Sequence, residues 1–246
     1  MKQAELKDFL ELKTRQYNKP EFIESDPINI PRQFSKKEDI EISGFLTATI
    51  AWGQRVTIIN NARRLMALMD HAPHDFIINF EHSDLAAMEG FVHRTFNFDD
   101  LVLFLSSLKN IYKKHHGLEN AFRTNESGEA KEAIRNFREL FFQVPHLKRS
   151  EKHVSNPDKN SSCKRLNMFL RWMVRKDNAG VDFGIWRQIS PAQLSCPLDV
   201  HSGRVARKLG LLQRKANDWR AVAELDSNLR KLDPKDPVKY DFALFG

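Results

Sequence analysis

The sequence predicts an all-α protein, and three observations carry that expectation. Glycine is scarce, at 10 of 246 residues. The strict polar/apolar alternation of a half-buried strand is hard to find. Apolar residues recur instead at helical spacing, bounded by capping residues before and by Gly or Pro after. Hydrophobic residues make up 41% of the chain and include 18 Phe, so one large domain or two smaller lobes can each bury a core.

The first stretch, MKQAELKDFLELKTRQYN, is charged throughout and is not expected to act as a signal peptide. In SKKEDIEISGFLTATIAWG, Ser35 and Glu38 stand at capping-box spacing ahead of Ile40, Phe45, Leu46 and Ile50, which predicts a helix start there. VTIINNARRLMALMD carries a second apolar stripe that ends before Pro73. FDDLVLFLSSLKNIYKKHHG has acids at its start, bases at its end and Gly117 as its stop, an arrangement that suits the helix dipole. GEAKEAIRNFRELFF, CKRLNMFLRWMVRK, VHSGRVARKLGLL, NDWRAVAELDSNLRKL and PVKYDFALFG complete the series, and no internal repeat is detectable.

Several function classes drop out. No apolar run approaches the roughly 18 residues of a membrane span. Cys163 and Cys196 are the two cysteines, too few for a disulfide framework or a four-thiolate metal site. His71 and His74 have metal-like spacing, but Pro73 lies between them and a metal site is not expected there. There is no P-loop and no G-x-G-x-x-G. The expectation is a soluble, cytoplasmic protein with no membrane partner, no metal and no cofactor.

The formal net charge is +7. From Pro145 to Lys176, nine Lys or Arg stand against Glu151 and Asp158. This local excess of seven equals that of the whole chain. Such concentration is the electrostatic footprint of a polyanion site; the plainer reading is a solvated loop. Within it, VPHLKRSEKHVSNPDKNSS (144–162) lacks an apolar period and is the expected boundary between lobes. Composition does not decide between a surface loop and a strap along a nucleic acid.

Two residues bear chemistry. Asp199, in CPLDVHSGRVARKLGLL, precedes a helix carrying Arg204, Arg207 and Lys208. An Asp there caps the first-turn amides; ringed by cations it also stays ionised and stabilises positive charge in a transition state. Lys164 stands where the Ser/Asn-rich loop meets the next helix. There it is either a phosphate-contacting or solvated lysine or, crowded by Arg165 and other cations, an amine of lowered pKa and a nucleophile.

The segment LDVHSGRVARKLGLL resembles V-D-x-H-x-x-R-V-x-x-R-L-G-L of the helix-hairpin-helix DNA glycosylases, the endonuclease III superfamily. CKRLNMFLRWM resembles that family's helix after the hairpin, with Lys164 and Asn167 at its K-x-x-N spacing. GFLTATIAWGQRVTIINNARRLM resembles its early helix pair, with Gln54 at the turn that enters DNA. Over nearly its whole length the chain resembles an uncharacterised bacterial family, the domain of unknown function numbered 2400, placed near those glycosylases. The chain departs from the glycosylases in three ways. Asn160 and Ser162 occupy the hairpin's glycine places, and residues 176–194 form an insertion between Lys164 and Asp199. The four-cysteine iron–sulfur segment of endonuclease III is also missing.

The resemblance implies a two-lobed helix-hairpin-helix glycosylase-like fold, with residues 1–34 and 163–246 in one lobe and 35–162 in the other. It implies a monomeric enzyme that excises a damaged base from duplex DNA. Asp199 is the catalytic carboxylate and Lys164 the candidate lyase nucleophile. Gln54, Arg55, Lys159, Ser161, Ser162, Arg165, His201, Arg204 and Arg207 are the candidate nucleic-acid contacts. Trp52, Asn167 and Met168 are the candidates for the base pocket. Two alternatives stay open: a non-catalytic nucleic-acid-binding protein of the same fold, and a helical scaffold whose basic patch meets an acidic protein.

Overall fold

A computed structural model describes residues 2–124 and 128–245. Among these residues there is no strand, only the isolated bridges His93–Phe96 and Ser161–Asp218, and the all-α expectation holds. The helices are α1 (Gln3–Tyr17), α2 (Pro20–Ser25), α3 (Lys37–Thr49), α4 (Arg55–Leu68), α5 (Pro73–Asn79), α6 (Phe98–His115), α7 (Leu118–Ala121), α8 (Ala130–Phe141), α9 (Lys164–Val174), α10 (Val200–Lys208), α11 (Trp219–Leu232) and α12 (Asp241–Phe245). None is long and apolar enough to cross a membrane. The chain divides into two compact units. One comprises Met1–Glu24, Thr124–Glu132 and Ser155–Gly246; the other comprises Ser25–Arg123 and Ala133–Val154. The division at Val154 and Ser155 falls inside the polar segment 144–162.

The Ser25–Arg123 and Ala133–Val154 unit is built on phenylalanine. Phe45, Phe104, Phe137 and Phe141 pack with ring centroids 4.8 to 5.7 Å apart. Phe122 stacks on Phe137 at 4.1 Å. Helix α6 starts as its sequence implies: Asn97 accepts from the Asp100 amide while Asp100 accepts from that of Asn97. Its stop is shared, with His116 left-handed (φ 58°) and Gly117 following at φ 97°. The capping box expected from Ser35 and Glu38 does not form. Helix α3 begins at Lys37, so Lys36 takes the cap position with no side-chain cap bond. That leaves Ser35 one residue outside the reach of the first-turn amides.

The unit formed by the chain's two ends encloses Leu10, Leu198, Ala206, Val222, Leu225, Leu229, Tyr240 and Leu244. Helix α9 carries a second, polar core on its C-terminal half. Arg171 is 4% exposed and Arg175 2%. Arg171 pairs with Asp182 (3.2 Å) and with Asp241. Arg175 pairs with Asp177 (2.6 Å), Asp182 (3.0 Å) and Asp236 (2.9 Å). Phe242 lies against both guanidinium groups, 4.4 and 5.5 Å away.

The insertion 176–194 supplies Asp177 and Asp182. It folds back on α9, the amides of Phe183 and Ile185 donating to the carbonyls of Trp172 and Met173 at 2.8 Å. These bonds satisfy carbonyls that a helix end otherwise leaves open.

This arrangement corrects the reading of the basic segment. Of its nine cations, Arg171 and Arg175 are buried and neutralised, Arg149 pairs with Asp99 (2.9 Å) and Asp100 (3.3 Å), and Lys164 pairs with Asp199. Linear charge density overstates the exposed charge, because the partnering acids lie outside the segment.

Removing one side of a buried ion pair strands the other, at a cost of about 3–5 kcal/mol. Arg171→Leu is therefore expected to lower stability by about that amount, read as a fall in the urea midpoint. A midpoint equal to the parent's would remove the network from its structural role.

Candidate active site

Lys164 and Asp199 sit at the N-termini of α9 and α10 and meet there. The amine nitrogen is 3.5 Å from Asp199 Oδ2, and the side chains are 26% and 24% exposed. They are open to a ligand yet partly desolvated. Phe245 lies beneath the amine, its ring centroid 5.6 Å away.

Asp199 divides its work between its two oxygens. Oδ1 accepts from the amides of His201 (2.8 Å) and Ser202 (3.0 Å), capping α10, while Oδ2 faces Lys164. Ser202 Oγ completes the capping box by accepting from the Asp199 amide at 3.0 Å. The cap orients the carboxylate and leaves one oxygen for chemistry. Burial raises the Asp199 pKa, but Lys164 and the two backbone N–H groups outweigh it and hold the group below the ordinary carboxylate value. At neutral pH it is an anion.

The turn before Lys164 is held without glycine. Asn160 (φ 62°) and Cys163 (φ 49°) are the left-handed residues. The second such position is thus Cys163, and Ser162, in the expected glycine place, is spared a conformation that Ser adopts poorly. Ser161 Oγ accepts from the Cys163 amide at 3.3 Å. Asn167 donates to the Ser162 carbonyl at 3.1 Å and is wholly buried. It clamps the turn from within.

The other expected contacts divide by position. Lys159, His201 and Arg204 are exposed, and Met168 is partly exposed on α9. Arg165 is half-buried; desolvation pushes its guanidinium down to about 10, and it stays a cation at neutral pH. Arg207 is committed internally, donating to the carbonyls of Arg214 (2.8 Å) and Lys215 (2.9 Å) and to Asn217 Oδ1 (2.6 Å). Trp52, Gln54 and Arg55 belong to the other unit. Gln54 is the exposed N-cap residue of α4. Arg55, also exposed, reaches Ser25 Oγ at 3.5 Å. Trp52 packs against His93 and His153 at 4.9 and 5.9 Å. A groove lined by Met69, Asp75, Phe76 and Phe80 lies in that unit too and contains none of these residues.

Sequence reasoning missed Asn217 and Asp218. Asn217 Nδ2 donates to the Asp199 carbonyl at 3.0 Å, and Asp218 Oδ2 accepts from Asn160 at 3.0 Å. Asp218 is also the N-cap of α11, accepting from the Ala221 amide at 3.1 Å. Its contact with a turn 58 residues away had no signal in the sequence.

The fold and site define an all-α protein of two units, with a half-buried amine–carboxylate pair where two helix N-termini meet. The chain belongs to the family described as "Protein of unknown function (DUF2400)", whose model matches residues 26–246. No curated protein and no solved structure matches it.

A carboxyl held below its ordinary value of 3.8 contributes stability above that value and loses it as pH falls through the depressed one. Asn caps about as well as Asp, so Asp199→Asn removes the ion pair and keeps the helix start. The stability gap between parent and variant is expected to be full near neutrality and to close below about pH 4, as measured by denaturation across pH. A gap that widens toward acid would reverse the assignment.

Proposed function

We propose that the protein is a DNA N-glycosylase of base-excision repair, acting on a damaged base in duplex DNA, with Lys164 giving it lyase activity. The observation that carries this reading is the meeting of Lys164 and Asp199, 3.5 Å apart and each about a quarter exposed, in the two segments that resemble the catalytic segments of the helix-hairpin-helix glycosylases. Supporting it are the exposed cations Lys159 and Arg204 in the same unit.

In this mechanism the target nucleotide is turned out of the stack. As the N-glycosidic bond lengthens, positive charge grows on the sugar, and the Asp199 anion stabilises it. The departing base takes up a proton from the Lys164 ammonium. The freed amine closes on C1′; its adduct passes a proton to O4′ as the C1′–O4′ bond breaks and the sugar ring opens, and the resulting iminium is what borohydride traps. The alternative is a nucleic-acid-binding protein without base release. It is favoured by the turn at 160–163, where side chains rather than glycines occupy the left-handed positions and limit the approach of a phosphate.

Duplexes carrying a panel of damaged bases test the first reading. Asp199→Asn is expected to bind DNA and to release base at least about a hundredfold more slowly, the rate equivalent of a lost charge contact of about 3 kcal/mol. Lys164→Ala is expected to abolish borohydride trapping. Turnover of Asp199→Asn at the parental rate would return Asp199 to capping alone.

DNA affinity is expected to fall with salt at a log–log slope of about −4 to −5. Replacing Lys159 and Arg204 together with Gln should flatten the slope by roughly two, as titrations at several salt concentrations would read. An unchanged slope would put the DNA surface elsewhere.

A further inference from the structure

We propose that Asn217 and Asp218 form a positioning element that sets the separation of Lys164 and Asp199 by tying both helix starts to one point, the two residues that lead into α11. The inference rests on that pair being the working pair of the site.

One arm runs to Asp199. Asn217 Nδ2 donates to the Asp199 carbonyl at 3.0 Å, and its Oδ1 accepts from Arg207 at 2.6 Å. Arg207 also holds the carbonyls of Arg214 and Lys215, so the loop carrying Asn217 is pinned to α10 itself. Gly203 makes room for this arm. A Cβ there would stand 2.7 Å from Asn217 Oδ1 and 2.9 Å from Arg207 Nη1, closer than atoms pack, so any side chain would push Asn217 off its seat. Gly203 has an ordinary helical backbone; its reason is this close approach.

The other arm runs to the turn that delivers Lys164. Asp218 Oδ2 accepts from Asn160 Nδ2 at 3.0 Å, and the Trp219 amide donates to the Asn160 carbonyl at 3.2 Å. Asp218 is held in turn by Arg214 Nε at 2.7 Å and by its bond from the Ala221 amide. From Asn160 the path to Lys164 is short and rigid: left-handed Asn160, the Ser161 hydroxyl on the Cys163 amide, left-handed Cys163, and Asn167 clamping Ser162. Adjacent residues of one helix start thus hold the carboxylate's backbone and the amine's turn. An oriented pair of reacting groups needs such a common reference, because small misplacements cost large factors in rate.

The test reads electrostatic coupling in the full chain, by carboxyl carbon NMR of Asp199 with pH. In the parent, Lys164→Met is expected to raise the Asp199 midpoint by about one pH unit, since a cation at this range favours the charged form. Asn217→Ala cuts the first arm. Asn160→Gly removes the side-chain bond of the second, leaving the Trp219 amide on the residue 160 carbonyl, while keeping its left-handed backbone without strain. In each background the Lys164→Met shift is expected to fall to half or less. Gly203→Ala, which removes no polar group, should act like Asn217→Ala and serves if that variant does not fold. A parental shift in any folded variant would overturn the proposal. The readout is a titration and not turnover. A protein that releases no base can therefore still show the coupling, and failure of the glycosylase reading is distinguishable from failure of this one. With turnover measurable, both arms are expected to lower kcat and leave KM near the parental value, the pattern of a positioning defect.

Discussion

The unit that carries the candidate site depends on the neutralisation of two arginines buried in α9. A guanidinium ion has no neutral form available at physiological pH, so Arg171 and Arg175 must be met by carboxylates wherever they are placed. Asp177 and Asp182 come from the chain just after the helix, and Asp236 and Asp241 from its C-terminal region. Four carboxylates around two cations leave a surplus of acid. Burial pushes Asp241 up to about 6 against the pull of Arg171. Meeting this requirement turns the insertion back over α9 and seats α12 beside it, with Phe245 under the Lys164 amine.

The consequence for the site is geometric. Lys164 is the first residue of α9 and Arg171 lies two turns further along the same helix, so the network fixes the helix whose start bears the amine. Asp199 arrives from the opposite direction in sequence, after the insertion, and is held by its own helix. Its capping bonds and its ion pair do not compete, because each uses a different oxygen. Capping makes the carboxylate rigid, and the remaining oxygen is presented with little freedom left to lose.

Local signals were legible where one stretch of chain contains all the partners. The Asn97–Asp100 box and the Asp199 cap each involve residues at most three apart. The Ser35–Glu38 pair has the same spacing and makes no box, because α3 starts one residue later than that pattern requires. In the turn before α9, sequence alignment by spacing put the second left-handed residue at Ser162, whereas the backbone puts it at Cys163. A one-residue difference in the turn decides which amides and carbonyls face solvent, and side-chain identity alone does not specify it.

By itself the sequence determined the helical class, the longer helices, and the two residues whose chemistry is worth testing. These depend on periodicity, capping and residue type, all properties of short segments. Only the tertiary structure decided that Lys164 and Asp199 meet, that Arg171, Arg175 and Arg207 are spent inside the protein, and that Asn167 is a buried clamp. It also brought Asn217 and Asp218 to the helix starts they hold. The physical reason is that an ion or a hydrogen-bonding group is defined by its partner, and those of Arg171 lie 11 and 70 residues away. Folding chooses them by where burial would otherwise leave a charge or a polar group unpaired.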